Sequence, residues 1–169
     1  MVTAVDHNAI KTRIRDILRN ESTLYNSTSI GDSGTFRSLE VGTPDSRKIN
    51  ELNHPSCFIT SSEIIEDAIQ VGITSADTDK ATEHIIRYLI VFTVDEKDGR
   101  KAEETLDSTG KIIAEVLRAN KHLGTVANPT LGRLAQEIWP EQLGILNRDL
   151  AGSNVQGRVW RVKVKAYTG

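Results

Sequence analysis

Apolar residues recur at helical spacing near the start of the chain. Ile10, Ile14, Ile17 and Leu18 fall on one face, while Arg13, Arg15, Asp16 and Arg19 lie mainly off it. Asp6 precedes this stripe and is placed to accept from the free N–H groups of a first turn, which predicts a helix ending near Asn20. A second stripe, Ala102, Leu106, Thr109, Ile113, Val116 and Leu117, predicts a helix over 100–120. Gly110 interrupts it and weakens it by about 1 kcal/mol relative to alanine. Two other stretches alternate with a period of two. In 84–94, Ile86, Tyr88, Ile90, Phe92 and Val94 share one face of a strand, and Ile85, Arg87, Leu89, Val91 and Thr93 the other. In 159–167, Trp160, Val162, Val164 and Ala166 face one way, and Arg161, Lys163 and Lys165 the other.

The remaining pattern is weaker. A short apolar run, Cys57 to Thr60, follows Pro55 and reads as a strand, since proline is tolerated where a strand begins. Phe36, Arg37, Ser38, Leu39, Glu40 and Val41 alternate before the Gly42–Thr43–Pro44 break, which suggests another. Leu131, Leu134, Ile138 and Trp139 suggest a short helix stopping at Pro140, with a strand over 142–150 and a turn at 151–154. Residues 22–53 are polar and are expected as an extended loop or arm. Residues 62–82 carry Glu63, Glu66, Asp67, Asp77 and Asp79 against Lys80 alone. They read as an acidic surface insertion with at most weak edge strands at 64–65 and 71–73. The expected architecture is one α+β domain over 1–169: a single, mostly antiparallel β-sheet packed against two main helices, with long polar loop insertions.

Composition narrows the field without deciding it. A chain of 169 residues suits one domain and can bury a core unaided. The net charge of −2 gives no global attraction to nucleic acid or anionic membrane. No apolar run approaches the roughly 18 residues of a membrane span, and the N-terminal segment lacks the pattern of a signal peptide. Cys57 is the single cysteine, so no intrachain disulfide forms, which fits a reducing compartment.

The search for chemistry finds little. His7, His54, His84 and His122 are scattered, and none has a second ligand three or four residues away, so no metal site is expected. Cys57 sits in an apolar strand and reads as a buried thiol rather than a nucleophile. There is no Gly-Xaa-Ser-Xaa-Gly elbow. Gly31–Asp32–Ser33–Gly34 lacks the lysine and following helix of a phosphate loop. The acidic insertion lacks calcium-loop spacing. No catalytic residue, metal or cofactor is therefore expected, and the chain does not read as an enzyme. The sharpest electrostatic feature is basic: Arg158, Arg161, Lys163 and Lys165 lie in a segment without acids. The last three form a stripe about 13 Å long. Such a stripe suits DNA phosphates or an acidic partner. The plainer reading is a solvated sheet face, or lysines that discourage wrong pairing at an edge. No interleaved aromatics suggest a single-strand stacking platform.

The order of elements carries a resemblance. An amphipathic helix (9–19) precedes a polar loop and a Pro-led short strand (54–59). A long strand (85–94) then passes through an acidic turn into a helix (101–120), and an alternating strand closes the chain (159–167). This plan resembles the tail terminator, or tail completion, family of long-tailed siphovirus and myovirus phages, and more loosely the neck proteins that join head and tail. It covers most of the chain as a pattern of elements, with 21–53 and 63–80 departing as insertions. The resemblance implies a homo-oligomeric ring, typically a hexamer, that caps the tail tube, stops its polymerisation and docks the neck or head completion protein. DNA would pass only as cargo. It implies a virion protein at the head–tail junction, assembled in the host cytoplasm, with no membrane partner. The segment with Phe36, Arg37, Leu39 and Val41 is then expected as an inter-subunit arm, and the basic stripe would line the channel, lie between subunits or face outward. The competing readings are a head–tail connector of the same virion and, less favoured, a small enzyme or regulatory module with a dispersed site.

Overall fold

The computed structural model describes residues 5–25, 36–42, 54–61, 69–70, 82–147 and 155–168. The expected segments 64–65, 71–73 and 148–154, most of 22–53 and most of 62–82 lie outside them.

Helix α1 (His7–Arg19) starts where Asp6 caps it, its carboxylate accepting from the Ala9 N–H at 2.9 Å. Its buried residues are Ile10, Ile14, Ile17 and Leu18, the stripe expected from spacing. Helix α2 (Gly99–Ala119) is capped in the same way by Asp98, which accepts from Arg100 N–H at 3.0 Å. It buries Ala102, Leu106, Thr109, Gly110, Ile113, Ala114 and Leu117. The acidic turn before α2 is thus its capping signal.

Strands β1 (Ser38–Val41), β2 (Ser56–Ser61), β4 (Thr82–Asp95), β5 (Glu137–Asn147) and β6 (Val155–Thr168) form a sheet ordered β1-β2-β4-β6-β5. A two-residue strand, β3 (Ile69–Gln70), pairs with the start of β4. The spine is the antiparallel β4–β6 pair, in unbroken register from Thr82 opposite Thr168 to Asp95 opposite Val155. Every pairing is antiparallel except β1 with β2, so the sheet is mixed with one parallel pair.

Both helices pack on one face. There Ile86, Tyr88, Ile90, Phe92 and Val94 of β4 join Val162 and Val164 of β6 and the apolar stripes of α1 and α2. Each fully buried aliphatic or aromatic side chain contributes roughly 1.5–3 kcal/mol. Tyr88 is wholly enclosed, and its hydroxyl is satisfied by His7 Nδ1 at 2.9 Å.

Two expectations change. Residues 36–41, expected as an inter-subunit arm, are held within this chain. They belong to the chain's own sheet, with β1 parallel to β2, and Phe36 and Leu39 are buried in the chain's own core. Phe36 meets Phe92 edge to face, with ring centroids 6.3 Å apart. Backbone bonds from Arg37 N–H to Pro55 O and from Gly42 N–H to Ile59 O, both 2.8 Å, fix the ends of this strand, and Val41 is half-buried. Deleting 22–53 would therefore remove core. The second correction is that no helix spans 131–139. Leu131 is exposed, and Glu137–Asn147 is a strand in which Ile138 points inward and Trp139 outward. Pro140 is tolerated because β5 is the outermost strand of the described sheet, where a missing N–H leaves the ladder intact.

Candidate functional site

Residues opposite one another in a sheet share a face, so the registers assemble the surface away from the helices. One row runs Thr60, Leu89, Arg161, Glu141. The next runs Arg87, Lys163, Trp139, and the third Ile85, Lys165, Glu137. Phe58, Val91 and Val159 form a fourth, more apolar row, in which Phe58 and Val91 are buried. Among the described residues both helices lie on the other face of the sheet.

Arg161, Lys163 and Lys165 share this outer face as expected, but the stripe is not purely basic. Glu141 of β5 reaches across to it. Its Oε2 accepts from Arg161 Nη2 at 2.6 Å and Nε at 3.0 Å, and its Oε1 lies 3.0 Å from Lys163 Nζ. The hydrogen bond from Arg161, then that from Lys163, holds the Glu141 carboxyl below its ordinary range. Glu137 lies opposite Lys165. The face therefore sets Arg87, Arg161, Lys163 and Lys165 against Glu137 and Glu141, with Ile85, Leu89 and the exposed Trp139 between them. It is mixed and apolar-centred rather than a polycation.

Arg158 is not part of this stripe. It is an even position like Trp160, so it turns toward the helices, is 5% exposed and pairs with Asp107 of α2 at 3.3 Å. Sequence reasoning placed Arg87 on the outer face of its strand but did not join it to the stripe, and it missed Glu141 as a member of the surface. It also missed Trp139, which places one exposed aromatic beside Lys163.

The described residues hold no cluster of three or more His, Cys, Asp or Glu able to bind a metal, and none of their helices is long and apolar enough to cross a membrane. Cys57 is buried, and that burial pushes its thiol far above the usual range, so thiolate chemistry is disfavoured there. Ser56, Thr93 and His54 do meet: Ser56 Oγ lies 2.7 Å from Thr93 Oγ1, which lies 2.9 Å from His54 Nδ1. Ser56 is buried and bonds to the threonine, so the trio lacks the nucleophile–base contact of a hydrolase. No protein-family model matches this chain, and no curated protein matches it in sequence.

Replacing Arg161, Lys163 and Lys165 together by Gln is expected to leave a folded protein. Glu141 is about one-third exposed, and pairs of that kind contribute about 0–1 kcal/mol each. The melting temperature should fall by no more than about 8 °C. Loss of soluble protein would instead make the stripe part of the fold.

Proposed function

We propose that this chain is a structural assembly protein of the tail terminator kind. In this role it closes into a ring on the end of a phage tail tube, stops tube growth and offers a docking surface to the neck or head completion protein. It makes and breaks no bond. It works at the head–tail junction of the virion after assembly in the host cytoplasm, and DNA crosses it only as cargo.

The observation that carries this reading is the difference between the two faces of the sheet among the described residues. Both helices cover one face, while the other bears Ile85, Leu89 and the exposed Trp139 among Arg87, Arg161 and Lys163. Aromatic residues and arginine around an apolar centre are the composition of protein interfaces. The two ends of the sheet also differ. β1 is four residues long, and its Leu39 carbonyl accepts from Arg19 Nε at 3.0 Å, whereas β5 is eleven residues long and carries Trp139 and Pro140. A ring needs two unlike patches on each subunit that close on one another, and unlike sheet ends supply candidates. The element order that carries the family resemblance supports the same reading: helix, short strand, long strand, helix, final strand, with β1, β3 and β5 added to that plan.

The test is the solution mass by light scattering, with negative-stain images of the same sample and an assay of tail-tube polymerisation in its presence. Rings of roughly six copies that arrest tube growth are expected. A protein that forms rings but leaves tubes growing would favour the connector reading. A monomer that neither forms rings nor arrests tubes would sink both.

A further inference from the structure

A second feature lies on the helix side of the sheet and is independent of the assembly role. A cleft opens between α2 and β6 beside the β5 bulge at Gln142 and Gly144. Gly110 and Ala114 of α2 line it with Arg158 and Trp160 of β6, and Asp107 and the exposed Lys111 and Arg118 are also part of its lining.

Arg158 is 5% exposed, yet among the described residues its guanidinium donates only to Asp107 Oδ1 at 3.3 Å and Gly157 O at 3.4 Å. Both distances are at the long limit of a hydrogen bond, and a guanidinium has five N–H donors to satisfy. Asp107 is itself 69% exposed, so it is a weak and readily displaced partner. The indole N–H of Trp160 has no acceptor among the described residues. Gly110 keeps the approach to it open: a Cβ there would stand 3.1 Å from Trp160 Nε1. The cleft thus presents a buried guanidinium held by two long hydrogen bonds, a second N–H donor and two further cations, of which Lys111 also lies 3.9 Å from Glu115, with Asp107 as its one acidic side chain.

A buried guanidinium with spare donors is complemented by an oxyanion, which can accept from several N–H groups at once. We infer that this cleft binds an oxyanion, a carboxylate or phosphate group, between the Arg158 guanidinium and the Trp160 indole N–H. Lys111 and Arg118 draw the anion in. Asp107 is the internal competitor whose position on Arg158 the ligand takes.

The experiment titrates inorganic phosphate and, separately, N-acetylglutamate into the full chain. Affinity is read by calorimetry, and the two indole N–H resonances are followed by NMR. The Trp160 signal should move saturably, while that of Trp139, on the other face, should not. Asp107→Asn removes the competitor from an exposed position and should tighten binding by roughly tenfold, the scale of one charge-assisted hydrogen bond. Trp160→Phe keeps the ring packing, removes the donor and should weaken binding several-fold. Arg158→Gln should abolish it; should that buried change prevent folding, the other two variants decide. A response to phosphate alone assigns the site to phosphoryl groups, and a response to N-acetylglutamate assigns it to carboxylates. No saturable movement with either probe, or an affinity unmoved by Asp107→Asn and Trp160→Phe, would overturn the inference and leave a water-filled cleft.

Discussion

Ile90→Asp is expected to leave no cooperatively folded protein. Ile90 is 0% exposed at the middle of β4, opposite Ile59 on β2 and Trp160 on β6. It faces the helices, where every neighbouring element contributes apolar surface. Truncating a buried isoleucine costs about 2–5 kcal/mol. The aspartate adds the penalty of an unpaired carboxylate in an apolar site, several kcal/mol more. Together these rival the roughly 5–15 kcal/mol that holds a domain of this size. Near-UV circular dichroism should lose its fixed signal and the thermal transition should vanish. Ile90→Val, costing about 0.5–1.5 kcal/mol, should melt cooperatively at a slightly lower temperature. A normal transition for Ile90→Asp would mean that β4 presents its other face to the core.

That prediction rests on a face assignment legible in the sequence, because β4 and β6 alternate cleanly over long stretches. Period-two alternation fixes which side is buried without knowledge of the neighbours. The α1 stripe and the Asp6 cap were equally plain, since caps and helical faces are local chemistry. The alternation of 36–41 suggests β1 as a strand, but its place in the chain's own sheet is not legible, for the opposite reason. Its four residues are held by a parallel partner whose register depends on the rest of the fold, and the polar residues around it read as loop. β5 was mistaken because Leu131, Leu134 and Ile138 mimic helical spacing by chance. Only Ile138 of the three is fully buried, and the position of β5 at the end of the described sheet removes the usual objection to Pro140.

The outer face was half legible. Arg161, Lys163 and Lys165 declare their common side by parity. Glu141, twenty positions from Arg161 in the chain, could be found only once β5 was known to lie beside β6. Parity also carried an unused signal, because an even-numbered Arg158 belongs with Trp160 and Val162 on the helix side. A charged residue on the apolar face of an alternating strand is the mark of a buried, partnered cation. The cleft at Arg158 is where that mark leads.

Gly110→Leu is expected to lower the melting temperature by roughly 4–8 °C, although glycine is among the poorest residues for a helix interior. Read from sequence, Gly110 is a defect in α2. In the fold it is where the helix meets the sheet, since a Cβ there would stand 3.1 Å from Trp160 Nε1 and 3.3 Å from Phe92 Cζ. Phe92 cannot retreat: it is 0% exposed, with the Phe36 ring set edge-on against it. Only Trp160, partly exposed, can give way. A leucine gains roughly 1 kcal/mol of helix propensity, but overpacking costs about 3 kcal/mol when the surroundings are rigid, a net loss of about 2 kcal/mol. Gly110→Ala asks for a shift of only a few tenths of an ångström by Trp160, so its propensity gain and steric cost nearly cancel. Melting curves of the two variants separate the terms. A leucine variant that melts above the parent would mean that α2 does not sit on Trp160 and Phe92. Because the leucine side chain would also fill the floor of the Arg158 cleft, the same variant should lose the oxyanion response while the alanine variant keeps most of it.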